Sequence, residues 1–229
     1  MSAAPEPLSV VDVWSVEVAV VAASERGLTA LLDRGERARA ARFVKSDDAI
    51  RYRVAHGALR TILGGCTGAA PADLRFARTE HGKPLLDGGP HFSLSHSGGL
   101  VLVAVSREHE VGVDVEEVRP VPDARDLARR YFAALPASRI VDAPDAERDR
   151  RFMIAWTAIE AIAKAEGTGL AGIERRFDLR DADADDGERV DATIAGVSWT
   201  VRRLVPAPGH VGAVAVRDAD FELRTHGFA

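Results

Sequence analysis

A chain of 229 residues with a formal net charge of −5 at pH 7 can bury a substantial core as one domain or two fused halves, and its charge argues against a general nucleic-acid binder. The single cysteine, Cys66, excludes an internal disulfide, and no Cys/His spacing offers a zinc site. The N-terminus lacks the basic-then-apolar layout of a signal peptide and no apolar run reaches the length of a membrane span, so a soluble, cytoplasmic protein without membrane contact is expected.

Taken in order, the pattern predicts a strand over Val10 to Val20 and helices over roughly 24–44 and 47–63, the second introduced by Ser46-Asp47-Asp48 as a cap signal. These helices are basic: Arg34, Arg37, Arg39, Arg42, Lys45, Arg51, Arg53 and Arg60 outweigh Glu36, Asp47 and Asp48. That makes either a local anion site or a solvated charged face. After Gly64-Gly65, strands are expected near Leu74 to Arg78, Phe92 to Ser95 and Leu100 to Ser106, with Gly98-Gly99 as a turn, and then over the segment containing Asp114. Beyond Pro120 and Pro122 the pattern gives a helix over Asp123 to Ala133 and a long one over about Ala146 to Glu166, stopped by Gly167. Strands close the chain near Arg176 to Leu179, Ala192 to Leu204 and His210 to Arg217, and the Asp/Ala-rich stretch at 181–187 reads as a solvated loop. The order strand, helices, strands occurs twice, and Leu100 to Val105 and Val211 to Val216 are similar apolar runs. An α+β protein of two similar α/β halves follows, with halves over 1–110 and 111–229.

Two segments carry chemistry. Val111-Gly112-Val113-Asp114-Val115-Glu116 alternates, so in a strand Asp114 and Glu116 share one side while Glu117 takes the other. Magnesium favours such a carboxylate pair together with substrate phosphates, although alternating acids also suit the wet face of an ordinary strand. Glu160 and Lys164 stand one helical turn apart. This spacing is also that of a common surface ion pair, but Phe152, Ile154, Ala155, Trp156, Ala158, Ile159, Ala161, Ile162 and Ala163 make the helix apolar almost all round. Charges on a helix expected to be buried need a partner or a function. In Phe92-Ser93-Leu94-Ser95-His96-Ser97-Gly98, Ser95 and His96 diverge, which weighs against a serine nucleophile activated by its neighbour but lets both meet one large ligand.

Together these segments resemble the Sfp-type 4'-phosphopantetheinyl transferases over most of the chain. The resemblance is carried by Gly82-Lys83-Pro84, Phe92 through Gly98, Gly112 through Glu116 and Trp156 through Gly169, in the order and approximate spacing of the family. It implies a pseudo-dimer of two α/β halves, a monomer with an internal pseudo-twofold, and coenzyme A in the cleft between the halves. It also implies transfer of the phosphopantetheine arm of coenzyme A to a serine of an acyl or peptidyl carrier protein, with release of adenosine 3',5'-bisphosphate. By position, Asp114, Glu116 and Glu160 correspond to ligands of Mg2+ (or Mn2+), and Lys164 to the lysine that contacts the pyrophosphate and assists the leaving group. Ser95 and His96 correspond to coenzyme A contacts, and Lys83, Arg78 and Arg51 lie where members hold the nucleotide end, with Arg39 a further candidate. Glu160 is the candidate base. Two departures stand out. Ile159 replaces the lysine usual before the metal-binding glutamate, a change expected to bear on carrier docking or rate rather than on phosphate chemistry. The glutamate often found several residues after an Arg-Phe-Phe segment is absent behind Arg129-Arg130-Tyr131-Phe132. The alternatives are a coenzyme A-binding protein without catalysis and a metal-dependent diphosphate hydrolase.

Overall fold

The computed structural model describes residues 8–21, 24–169, 177–179, 189–194 and 196–229. The first half runs β1 (Ser9–Glu17), α1 (Val18–Val21), α2 (Glu25–Leu31), α3 (Arg34–Ala40), α4 (Ser46–Thr67), the hairpin β2 (Phe76–Arg78) and β3 (Pro84–Leu86), then β4 (His91–Ser97) and β5 (Leu100–Ser106). The second runs β6 (Val111–Glu117), α5 (Ala124–Tyr131), α6 (Ala134–Val141), α7 (Asp145–Glu166), β7 (Asp178–Leu179), β8 (Arg189–Ile194), β9 (Val197–Leu204), β10 (His210–Arg217) and β11 (Phe221–Gly227).

The halves repeat one plan. The first sheet has the order β11-β1-β5-β4 and the second β6-β10-β9-β8-β7, so antiparallel β1-β5-β4 corresponds to antiparallel β6-β10-β9. Each half also contains a 22-residue helix, α4 or α7, that ends on a glycine in the left-handed region, Gly68 or Gly167.

Strand alternation sorts the core into layers. On β5, Val101, Val103 and Val105 face α4, where they meet Val54, Ala58, Leu59 and Leu63. Leu100, Leu102 and Ala104 point the other way, onto Val111, Val113, Val115, Val214 and Val216 of the second sheet. The opposite side of that sheet, with Val211, Ala213, Ala215 and Val201, is covered by Ile159, Ile162 and Ala158 of α7. The molecule is therefore helix, sheet, sheet, helix, and the runs at 100–105 and 211–216 are apolar throughout because both of their faces are covered.

Several expectations are corrected. The first strand stops at Glu17 and gives way to one helical turn. The single helix expected over 24–44 is two, because Asp33 leaves helical geometry and caps α3 in a reciprocal box with Glu36, each side chain accepting the other's backbone N–H. The strand expected over Ala192 to Leu204 is the hairpin β8–β9, turning at Gly196 with φ +81°. Both α6 and β11 went unread. Arg176 and the 181–187 stretch lie outside the described residues. No helix among the described residues is long and apolar enough to cross a membrane.

Candidate active site

The site starts from β6. Because Val111, Val113 and Val115 enter the layer between the sheets, Gly112, Asp114 and Glu116 must face α7. At Gly112 the contact is closest: a Cβ there would stand 1.9 Å from the Ala161 carbonyl oxygen and 2.5 Å from the Ala165 nitrogen. Only glycine lets α7 lie directly on the strand, and that approach sets the helix turn carrying Glu160 and Lys164 over the two carboxylates.

From the other side comes β4. It adjoins β6 without a backbone ladder, and three serines of one face, Ser93, Ser95 and Ser97, make the connection. Ser93 Oγ accepts the Val113 N–H at 3.0 Å, and Ser97 Oγ accepts the Glu117 N–H at 3.0 Å. Ser95 Oγ donates to Asp114 Oδ1 at 2.7 Å, and Ser97 Oγ donates to Glu116 Oε2 at 2.8 Å. The seam between the halves is thus held by hydroxyls that also orient the acids.

Lys164 closes the group. Its ammonium donates to Asp114 Oδ1 at 2.6 Å and to Ser95 Oγ at 2.8 Å. Asp114 is 4% exposed, and its Oδ2 is buried with no hydrogen-bond partner. Burial pushes the Glu160 carboxyl above the ordinary glutamate range; the charges of Asp114 and Glu116 add to this, and Lys164 opposes it. Glu116 is also raised, first by burial and then by Asp114, against the hydrogen bond from Ser97. Among the described residues no group of three or more His, Cys, Asp or Glu side chains stands ready to hold an ion. Asp114, Glu116 and Glu160 instead share one electrostatic field, with Lys164 set against its deepest member.

His96 and Ser95 diverge as expected. Opposite Val101 in register, His96 lies on the α4 side of the sheet. Although His96 is exposed, partial desolvation and then the charges of Arg51 and Lys164 hold its imidazole below the ordinary range. Arg51 donates to Asp48 Oδ1 at 3.0 Å one turn back on α4, and Arg78 donates to the Gly82 carbonyl at 2.8 Å. The Arg39 guanidinium lies 5.9 Å from the Tyr52 ring centre. Lys83 is engaged across the seam, where its ammonium meets Glu110 and the Ala165 carbonyl. Not all of the basic segment is available to a ligand: Arg60 is fully buried against Glu36 and Asp33, and Arg53 pairs with Glu25.

A model of the 4'-phosphopantetheinyl transferase superfamily matches residues 110–214, and a model of the 4'-phosphopantetheinyl transferase N-terminal region matches residues 22–108. The 4'-phosphopantetheinyl transferase HetI of Nostoc sp. is 33% identical over 211 residues, which span 90% of this chain and 87% of that protein. The chain belongs to the 4'-phosphopantetheinyl transferase family. The 4'-phosphopantetheinyl transferase Sfp of Bacillus subtilis is 29% identical over 188 residues, 81% of this chain and 82% of its own length.

Within this family frame, Ile159 is fully buried in the core between α7 and the second sheet. Its side chain offers no exposed surface for direct contact with a docked partner. Ser93, Ser97 and Glu110 were not singled out from sequence. The signal for the serines is their spacing of two, which puts all three on one face of a strand.

Proposed function

We propose that this transferase moves the 4'-phosphopantetheine group of coenzyme A to a serine hydroxyl of acyl or peptidyl carrier proteins, releasing adenosine 3',5'-bisphosphate, with Mg2+ as its metal and the cytoplasm as its site of action. We further propose that it works as a monomer, with nucleotide contacts in residues 1–110 and metal and catalytic residues in 111–229. One observation carries this reading. Lys164 pairs with the buried Asp114 at the seam of the two halves, and Glu116 and Glu160 lie in the same electrostatic field, which is short of positive charge.

A hard cation with oxygen ligands fits that group. Asp114 Oδ2 is an orphaned buried acceptor, and Glu116 and Glu160 are both pushed toward their protonated forms beside it. Mg2+ held by Asp114, Glu116 and Glu160 would neutralise the non-bridging oxygens of a pyrophosphate, and Mn2+ accepts the same ligand type.

The chain's own residues supply the rest. His96 and Ser95, one to each side of β4, meet different oxygens of the diphosphate, while Arg51 and Arg78 take the nucleotide end. Lys83 is the least available of these cations. The carrier serine oxygen attacks the phosphorus that bears the pantetheine arm. Its proton passes to Glu160, a general-base role worth about 10² to 10⁴-fold. As the bond to the adenosine-bearing phosphate breaks, Lys164 stabilises the oxygen that departs.

The test is intact-mass spectrometry of several apo carrier proteins incubated with the protein, coenzyme A and Mg2+, with and without a chelator. A chelator-sensitive gain of one phosphopantetheine is expected on at least one carrier. Coenzyme A binding without any gain would favour a binding protein, and adenosine bisphosphate released without a carrier would favour a hydrolase.

A further inference from the structure

We propose that Lys83 is a positioning residue that braces the C-terminal turn of α7, and that its contribution to the reaction comes through Lys164 rather than through contact with the nucleotide. The inference rests on the transferase reading above. Lys83 immediately precedes β3, in a turn fixed at both of its backbone groups: its N–H donates to Thr79 Oγ1 at 3.0 Å and its carbonyl accepts the Thr79 N–H at 2.9 Å. From this base the side chain crosses the seam and is only 10% exposed. Its stem lies over Gly167, where a Cβ would come within 3.1 Å of Lys83 Cδ. The glycine that stops α7 therefore also makes room for the lysine.

The ammonium ends at the Ala165 carbonyl, 2.8 Å away, and pairs with Glu110, which also takes His91 Nδ1 at 3.1 Å. Carbonyls in the last turn of a helix lack intrahelical partners and attract cations. The same residue, Ala165, touches β6 on its other side, since its nitrogen is the atom 2.5 Å from a Cβ built on Gly112. The turn holding Glu160 and Lys164 is thereby wedged between Gly112 below and Lys83 at its end. A phosphate drawing Lys83 away would have to break the pair with Glu110 and orphan the carbonyl beside Lys164.

The experiment is steady-state transfer to a carrier with coenzyme A varied, for wild type, Lys83→Met and Lys83→Arg, together with hydrogen exchange of the same proteins. Lys83→Met is expected to lower kcat about tenfold or more with KM for coenzyme A kept within about twofold, as loss of alignment does. It should also speed exchange at the amides around Gly167. Lys83→Arg can still donate to the Ala165 carbonyl and should recover most of kcat. A KM for coenzyme A raised about tenfold at unchanged kcat would make Lys83 a nucleotide ligand and overturn the proposal, as would no change in either constant. If Lys83→Met does not fold, Glu110→Gln makes the same test, with a fall in kcat at constant KM supporting the brace and any other pattern overturning it. A wild-type protein that modifies no carrier fails the transferase reading alone, because the exchange measurement needs no turnover.

Discussion

Glu160 answers two opposed demands. As the proposed base it must be ionised, yet it is half-buried in the field of Asp114 and Glu116, which disfavours the charge. A carboxyl whose folded pKa is raised stabilises the fold fully only below its free value of 4.5, and that contribution is lost as pH rises through the folded pKa. At neutral pH, then, this residue weakens the protein it serves. Glu160→Gln keeps the shape and removes the repulsion, so transfer should fall at least about 10²-fold while Tm stays level or rises. Activity assays paired with thermal melts check this, and a lowered Tm would count against the account. The carboxylates and Lys164 were legible in the sequence because spacings of two and four are properties of a single element. The serine bonds were not, because the partners of Ser93 and Ser97 are backbone groups and an acid on β6, brought alongside only by the assembled seam.

The join between α3 and α4 is a buried polar node. Arg60 donates to Glu36 Oε2 at 2.7 Å, to Asp33 Oδ2 at 3.1 Å and to the Pro71 and Leu74 carbonyls at 3.1 Å. Burial works to raise the pKa of Glu36, but hydrogen bonds from His56, Arg60 and the Asp33 N–H, with the charge of Arg60, bring it down from 4.5 to about 2. A depressed carboxylate stabilises the fold fully above its free pKa and loses that contribution as pH falls through the folded one. The shift corresponds to on the order of 3 kcal/mol present above about pH 4.5. Urea unfolding should show Glu36→Gln weaker than wild type by roughly that amount near neutral pH, with the difference narrowing as the pH falls toward about 2.

Elements differ in how openly the sequence declares them. The long helix α7 has an acidic first turn, a lysine in its last and a glycine stop, and its expected ends differ from the observed ones by a residue at most. Its neighbour α6 begins at Ala134 with Ala133 as an uncapped N-cap and Pro136 in its first turn, where the missing N–H costs nothing but reads as a break. The hairpin β8–β9 hid because both strands are continuous with the turn in character, and Gly196 alone marks the reversal.

At the scale of the molecule, a duplicated plan carries one site. The pairing of β1 with β5 and of β6 with β10 puts Val16 opposite Val101 and Glu116 opposite Val211, so Trp14 and Val16 occupy the places that Asp114 and Glu116 occupy in the other half. The edge of β1 that corresponds to the serine-bridged edge of β6 is taken by β11 in direct parallel pairing from Ser9↔Phe221 to Ser15↔Gly227. Phe221 is fully buried in the layer between the sheets, beside Val11 and Leu204. Phe221→Ala should cost about 3 to 5 kcal/mol in urea unfolding and expose β1 amides to exchange. Protection of β1 retained at wild-type level would show that the first sheet does not depend on this strand.

The pairing of β1 with β11 has a consequence in time. Ser9 and Phe221 are neighbours in space but stand at opposite ends of the order of synthesis. On a ribosome the first sheet waits with the outer edge of β1 open until β11 has emerged, and the strand that closes this edge comes after every residue proposed for catalysis. The half made first is therefore finished last.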